Sequence, residues 1–219
     1  PNSKNKGPKW NLVPNDADAY RGYYDLEPYN KVKNAGISMQ ADFAFDSFDV
    51  TSISSYRKQD IEFDGDVDFT SARLIGENLQ VTDTKSFSQE LRVASNGDGA
   101  LDWLVGAFYY NEDLTNDTSL LYGPQFRSYA DILSMGALNS VEDGLQLQRG
   151  TFFAEGQGLT ANFKQDNDAL SLFAQADFHV SDRLTLTAGV NYTKDNKTVT
   201  SVGNDSLNVG ASVSSTVMV

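Results

Sequence analysis

Cysteine is absent from the 219 residues, which removes disulfides, thiolate metal sites and cysteine nucleophiles at once. Histidine occurs once, at His179, so no second histidine completes a metal site and no Ser and Asp companions mark a triad. Basic residues are outnumbered, 17 Lys and Arg against 30 Asp and Glu, for a formal charge of -13. That sign repels nucleic acid and suits cationic ligands or metal complexes better. Long hydrophobic runs are also missing. No window approaches the ~18 apolar residues of a helical span, and the mean hydropathy is -0.41. A phosphate-binding glycine loop is lacking, since Gly156 and Gly158 are not followed by the Lys such a loop needs. No enzyme signature remains, and no cofactor is implied. Pro1 to Pro8 show neither an apolar signal core nor an initiating Met, so the chain is expected to be a fragment of a longer protein.

What is present is alternation. Residues 33–45 set Ala35, Ile37, Met39, Ala41, Phe43 and Phe45 on one face against Gly36, Ser38, Gln40 and Asp42, the period of a strand with one apolar side. Phe48 to Lys58 continues after a tight connection, with weaker alternation and an expected change of parity near Ser52. Lys85 to Ser95 opposes Phe87, Leu91 and Val93 to Ser86, Glu90 and Arg92, then meets the hairpin signal Asn96-Gly97-Asp98-Gly99. Ala100 to Asn111 places Leu101, Trp103, Val105, Ala107 and Tyr109 together. Its other face, with Leu104, Phe108 and Tyr110, is unexpectedly apolar and expected to be packed. Asp168 to Val180 and Leu184 to Asp195 form the clearest pair, joined at Ser181-Asp182-Arg183.

Connections between these six segments alternate between short and long. Compact soluble domains seldom have connections beyond about 15 residues, whereas outer-membrane barrels pair short periplasmic turns with long extracellular loops. The expected fold is therefore all-β, an antiparallel meander of about six long strands forming an open segment of a transmembrane β-barrel. Residues 33–195 make three hairpins, and 1–32, 59–84, 112–167 and 196–219 are extracellular loops. Phe45, Phe48, Trp103 and Phe178 lie near the short turns and Tyr56, Tyr109 and Tyr192 at the opposite ends, as two interfacial girdles would. Leu184 to Tyr192 is eight residue steps, roughly 26 Å at about 3.3 Å each, or about 20 Å across the membrane at a tilt of about 40°. Residues 128–140, with Tyr129, Ile132 and Leu133 at helical spacing, predict one or two helical turns inside the longest loop.

Candidate site residues follow from chemistry. Asp60, Glu62, Asp64, Asp66 and Asp68 alternate with other residues, so an extended backbone would align five carboxylates. Asp64 and Asp66 become candidate contacts for a cation or ferric complex; a solvated or lumen-facing extension of the second strand is the plainer explanation. The row does not complete an EF-hand, and no metal site is expected. Tyr122, Phe126, Arg127 and Tyr129 gather aromatic and cationic groups suited to stacking on a planar ligand or sugar, although long loops also order around their own aromatics. Glu90, Arg92 and Asp177 occupy polar-face positions and are expected to face the lumen, as are Asp102, Gln175 and His179.

Taken in order, "SISSYRKQD" (52–60), "SFSQELRVAS" (86–95), "DWLVGAFYYNED" (102–113) and "LSLFAQADFHVSDRLTLTAGVNYTKD" (170–195) resemble barrel strands of TonB-dependent receptors. The resemblance implies a bacterial outer-membrane receptor importing a scarce nutrient, such as a ferric siderophore, cobalamin or oligosaccharide. It implies three partners: membrane lipid, a small-molecule nutrient ligand, and the TonB energy-transducing complex acting through an N-terminal plug. Signal peptide, TonB box, plug and closing strand are not in this stretch, so a middle slice of the barrel is expected. Two alternatives stay open: a soluble acidic β-sandwich binding carbohydrate, and a passive porin-like channel. The sandwich predicts an opposing sheet over Leu170, Leu172, Phe178, Leu186 and Val190.

Overall fold

The computed structural model describes residues 24–97, 99–205 and 213–218. Each alternating segment forms a strand: β1 Tyr29–Ala44, β2 Phe48–Asp64, β3 Ile75–Ser95, β4 Leu101–Tyr122, β5 Gly158–Ser181 and β6 Leu184–Asp205. A short β7, Val213–Met218, follows. All lie in one sheet in the order β1-β2-β3-β4-β5-β6-β7, each antiparallel to its neighbours. This is the expected meander, one strand longer.

The strands run further than alternation indicates. The stretch 59–84 contracts to a loop at 65–74, and 112–167 contracts to 123–157. Residues 29–32 belong to β1, while 196–205 and 213–218 are strand rather than loop. Most of the first stretch, residues 1–23, lies outside the described residues. The cause is physical. Period-two hydropathy reveals a strand only where one face is apolar, and these extensions are mostly polar on both faces. Thr115 to Ser119, for example, pair with Lys164 to Thr160 with few apolar side chains among them. Once the apolar rungs below have set the register, each further residue gains ladder hydrogen bonds by continuing it.

Register decides which side chains share a face. The β1–β2 ladder runs unbroken from Tyr29 opposite Asp64 to Ala44 opposite Asp49, so the expected parity change at Ser52 does not occur. Ser52 and Ser54 instead sit among apolar neighbours, bonded to one side chain: Ser54 bonds Gln89, and Gln89 Nε2 donates to Ser52 Oγ at 3.1 Å. A polar group facing an apolar medium is tolerated when partnered in this way. Across the sheet, Phe43, Val50, Val93, Val105, Ala174 and Val190 fall on one rung. Aromatic residues bound this band. Phe45 stacks on Phe48 at 4.8 Å near the short turns, and Phe87 meets Tyr109 at 6.4 Å near the opposite border. The upper border descends one rung from Tyr56 and Phe87 to Tyr109, and another to Tyr192. Tilted strands require that staircase if the border is to stay level in a membrane.

No described residue covers the band. Ile37, Met39, Val190 and Tyr192 are 73%, 67%, 69% and 64% exposed, and Leu74 is the only buried hydrophobic residue among those described. A two-sheet sandwich is therefore excluded: Leu170, Leu172, Phe178, Leu186 and Val190 are all exposed, and the described strands form one sheet.

The other face is polar but locally packed, as the apolar residues of β4 suggested. Gly106 pairs with Phe173, whose ring would lie 2.3 Å from a Cβ added at Gly106. Only glycine leaves space for that ring. Below it, the short turns are tied together where Asn96 Nδ2 donates to the Phe45 carbonyl and to Asp49 Oδ1 at 2.8 and 3.0 Å.

Candidate functional site

The long connection between β4 and β5 folds into two helices, α1 Phe126–Leu133 and α2 Ala137–Gly144, where helical spacing predicted them. Gly136, at φ 79°, supplies the left-handed residue that turns α1 into α2. The loop base is stitched to the β2–β3 loop: Gly123 N–H donates to the Leu74 carbonyl at 2.7 Å and Gln125 N–H to the Arg73 carbonyl at 3.0 Å. Gln125 Oε1 in return accepts from Arg73 N–H at 2.6 Å. A Cβ at Gly123 would meet the Arg73 carbonyl oxygen at 2.3 Å, so this seam also depends on glycine.

Three of the four aromatic and cationic candidates form one cluster. Tyr122 stacks on Phe126 at 4.0 Å, and Phe126 meets Tyr129 at 6.3 Å. Phe153, absent from the candidates, completes the group at 5.6 Å from Tyr122 and 5.7 Å from Phe126. Its backbone φ of 58° is uncommon for a bulky residue. The adjacent Phe152-Phe153 pair in an otherwise polar stretch is the signal that could have found it.

Arg127 points elsewhere and both its Nη groups are occupied. Its guanidinium grips Glu142 through Nη1–Oε1 at 2.7 Å and Nη2–Oε2 at 2.9 Å, and also reaches Asn139 Oδ1 and the Phe152 carbonyl. Gly150 and Phe152 N–H groups donate to the same carboxylate at 2.9 and 2.8 Å. Glu142 is fully buried. The Arg127 hydrogen bonds, helped by the Phe152 and Gly150 amides, outweigh burial and pull its pKa down to about 2. Arg127 thus stands in the loop's internal scaffold rather than in an open site. Sequence offers no signal for this, because residues 127, 142 and 150–152 meet only through the loop fold.

The carboxylate row is broken at its upper end. Asp60, Glu62 and Asp64 continue β2 on the same face as Tyr56, outward above the band. They sit in a charged collar where Lys31 meets Glu62 at 3.2 Å and Lys58 meets Asp60 at 2.9 Å and Asp83 at 3.3 Å. Asp64 Oδ1 accepts from Asn78 N–H at 3.1 Å. After Gly65 the chain turns, and Asp66 and Asp68 join Asp25 in a cluster of three carboxylates with oxygens within 4.8 Å of one another. Asp64 and Asp66, neighbours in the row, are thereby separated in role.

On the polar face stand Glu90, Arg92 and Asp177, with Asp102, Gln175 and His179. Arg92 Nε lies 3.0 Å from Glu90 Oε1, and Asp177 accepts from Thr187 Oγ1 at 2.5 Å and Gln175 Nε2 at 3.2 Å. His179 bridges Asp102 at 2.7 Å and Thr185 at 2.9 Å. Higher on this face a groove of about 590 Å³ is lined by Asn34, Arg57, Gln59, Thr84, Ser86 and Glu112 among others. Its walls offer hydrogen-bond donors, acceptors and both signs of charge, which suits a polar solute or a polar protein surface.

A family model described as TonB dependent receptor-like, beta-barrel, matches residues 1–217. Among solved structures, the ferric yersiniabactin uptake receptor FyuA from Yersinia pestis aligns with a TM-score of 0.63 at 16% identity. That alignment covers 88% of this chain and 24% of FyuA. The siderophore receptor PiuA from Acinetobacter baumannii aligns with a TM-score of 0.36 at 14% identity, covering 83% of this chain and 31% of PiuA. The chain thus spans about a quarter to a third of the length of these structures. No curated protein sequence matches it.

Proposed function

This chain belongs to the family of TonB-dependent receptor β-barrels, and we propose that it forms part of the wall and outer mouth of a receptor importing a scarce nutrient across the bacterial outer membrane. One observation carries the proposal. A single sheet bears an uncovered apolar band between two aromatic borders on one face and a polar, hydrogen-bonding surface on the other. Lipid covers the first face; the second lines the lumen, where Glu90, Arg92 and Asp177 contact the plug or the passing solute. The upper strand extensions rise above the membrane and carry the collar, the aromatic cluster and the clamped loop.

The ligand class we propose is a ferric siderophore, as FyuA is described as a ferric yersiniabactin uptake receptor. Tyr122, Phe126 and Tyr129 provide aromatic faces at the loop base for a planar ligand, while Arg127 keeps the loop rigid behind them. The partners are outer-membrane lipid, the small-molecule nutrient, and the TonB complex acting on a plug elsewhere in the full-length protein. Uptake of radioactive iron as siderophore complexes, in cells with and without the full-length gene, tests this. Expected is saturable uptake that disappears when the TonB complex is deleted. Uptake that rises linearly with concentration and ignores the deletion would instead make this a passive channel.

A further inference from the structure

We propose that Asp25, Asp66 and Asp68 form a divalent-cation site, of the all-oxygen kind that takes Ca²⁺, joining the segment before β1 to the β2–β3 loop. The three carboxylates approach within 4.8 Å of one another, near enough for one ion to accept an oxygen from each. Proximity alone would prove little, since exposed acids often crowd without an ion.

Asp25 supplies the independent observation. Its side chain is only 7% exposed, and its Oδ1 is buried without any hydrogen-bond donor. A buried carboxylate oxygen lacking a donor carries a desolvation cost that ordinarily neutralises it or draws in a cation. Arg73 reaches the other oxygen, Oδ2, through Nε at 3.5 Å, and from a side chain that is itself 55% exposed.

The other two ligands are held in place beforehand. Asp66 accepts the N–H groups of Asp68 and Phe69 through Oδ1 at 3.1 and 2.9 Å, and that of Asp25 through Oδ2 at 3.2 Å. Asp68 accepts from Thr70 N–H and Ile75 N–H at 3.0 and 3.2 Å. Oδ1 of Asp66 takes two amides, and Oδ1 of Asp68 takes the Thr70 amide and its hydroxyl, so it is Oδ2 of each, with one donor, that keeps lone-pair capacity for a metal while the amides fix its direction. Hard oxygen ligands drawn from two separate segments favour Ca²⁺ over the smaller, stricter Mg²⁺ and over nitrogen- and sulfur-seeking metals. A site of this kind was not expected from sequence, because Asp25 lies some forty residues from its partners.

The site is independent of which nutrient is carried, and its test involves no transport. Full-length protein purified in detergent and stripped of divalent ions is titrated with CaCl₂ by calorimetry. Wild type should bind with a Kd of about 10⁻⁴ to 10⁻³ M, the range of extracellular calcium modules. Asp25→Asn, which keeps shape and removes charge, should weaken that binding at least tenfold. Arg73→Gln, which removes the competing cation, should tighten it several-fold; a cluster that serves only as an ion-paired loop anchor would show no tightening. Equal calcium binding by wild type and Asp25→Asn would overturn the proposal. If Asp25→Asn does not fold, Arg73→Gln decides alone, and unchanged or weaker binding there overturns it.

Discussion

Arginine scanning along the outward face of β6 measures directly what medium lies against this sheet. Leu184, Leu186, Ala188, Val190 and Tyr192 share that face, and Tyr192 marks the upper aromatic border. Ala188 stands four residues from either end of this run, about 13 Å along the strand at ~3.3 Å per residue and about 10 Å in depth at a tilt of about 40°. It therefore sits near the middle of the apolar band. Arginine at mid-membrane on a lipid-facing barrel position costs about 2–4 kcal/mol and falls to about 0–1 near the interface. Ala188→Arg should lose about 2–4 kcal/mol, Val190→Arg about 1–3, and Tyr192→Arg no more than about 1. Asn191→Arg, on the polar face between the last two, should cost less than either deeper variant. Denaturant titration of the full-length protein folded into vesicles, followed by tryptophan fluorescence, gives these differences. Equal losses at all three depths, or a loss at Asn191 matching that at Ala188, would show that lipid does not cover this face.

Three further outcomes follow from the packed parts of the molecule. Glu142→Gln leaves the part-buried Arg127 beside a neutral partner, and since breaking a fully buried ion pair by removing one charge costs roughly 3–5 kcal/mol, the loss here should reach at most that range. Hydrogen exchange within 123–157 should accelerate strongly while the barrel strands stay protected, and unchanged loop exchange would contradict the clamp. Because the Glu142 pKa lies near 2 in the folded loop, below the ordinary 4.5, its stabilisation is fully present above about pH 4.5 and fades as pH falls toward 2. Protease cleavage of the loop, assayed with an acid-active enzyme, should therefore rise across that window in wild type and much less in Glu142→Gln. Gly106→Leu forces Phe173 from its place, and an overpacked site of this sort costs about 1–3 kcal/mol; a double variant with Phe173→Ala should recover most of the loss.

The half of the sheet between the aromatic borders was legible because one face of most strands there is apolar. Ile37, Leu91 and Val190 alternate with polar or small residues, and short turns such as 182–183 stand between matched runs. The same logic hid the upper halves: Asn162 to Asp168 of β5 carries mixed polar residues on both faces, and a strand held mainly by its ladder leaves no hydropathy signature. Local spacing found α1 and most of the aromatic cluster, since Tyr122, Phe126 and Tyr129 are close in sequence as well as in space. Arg127 shared that spacing yet faces Glu142, because a residue's direction on a helix decides its partner and the partner arrives from a separate helix.

By itself, the order of apolar and polar residues determined that this chain makes antiparallel hairpins with one greasy side, for the pleat sends alternate residues to opposite faces. Only the tertiary structure decided that no described segment covers that side, that Glu142 closes on Arg127, and that Asp25 meets Asp66 and Asp68. Those facts depend on which distant segments come together. Such meetings are governed by strand register and loop path, and a one-dimensional pattern does not encode them.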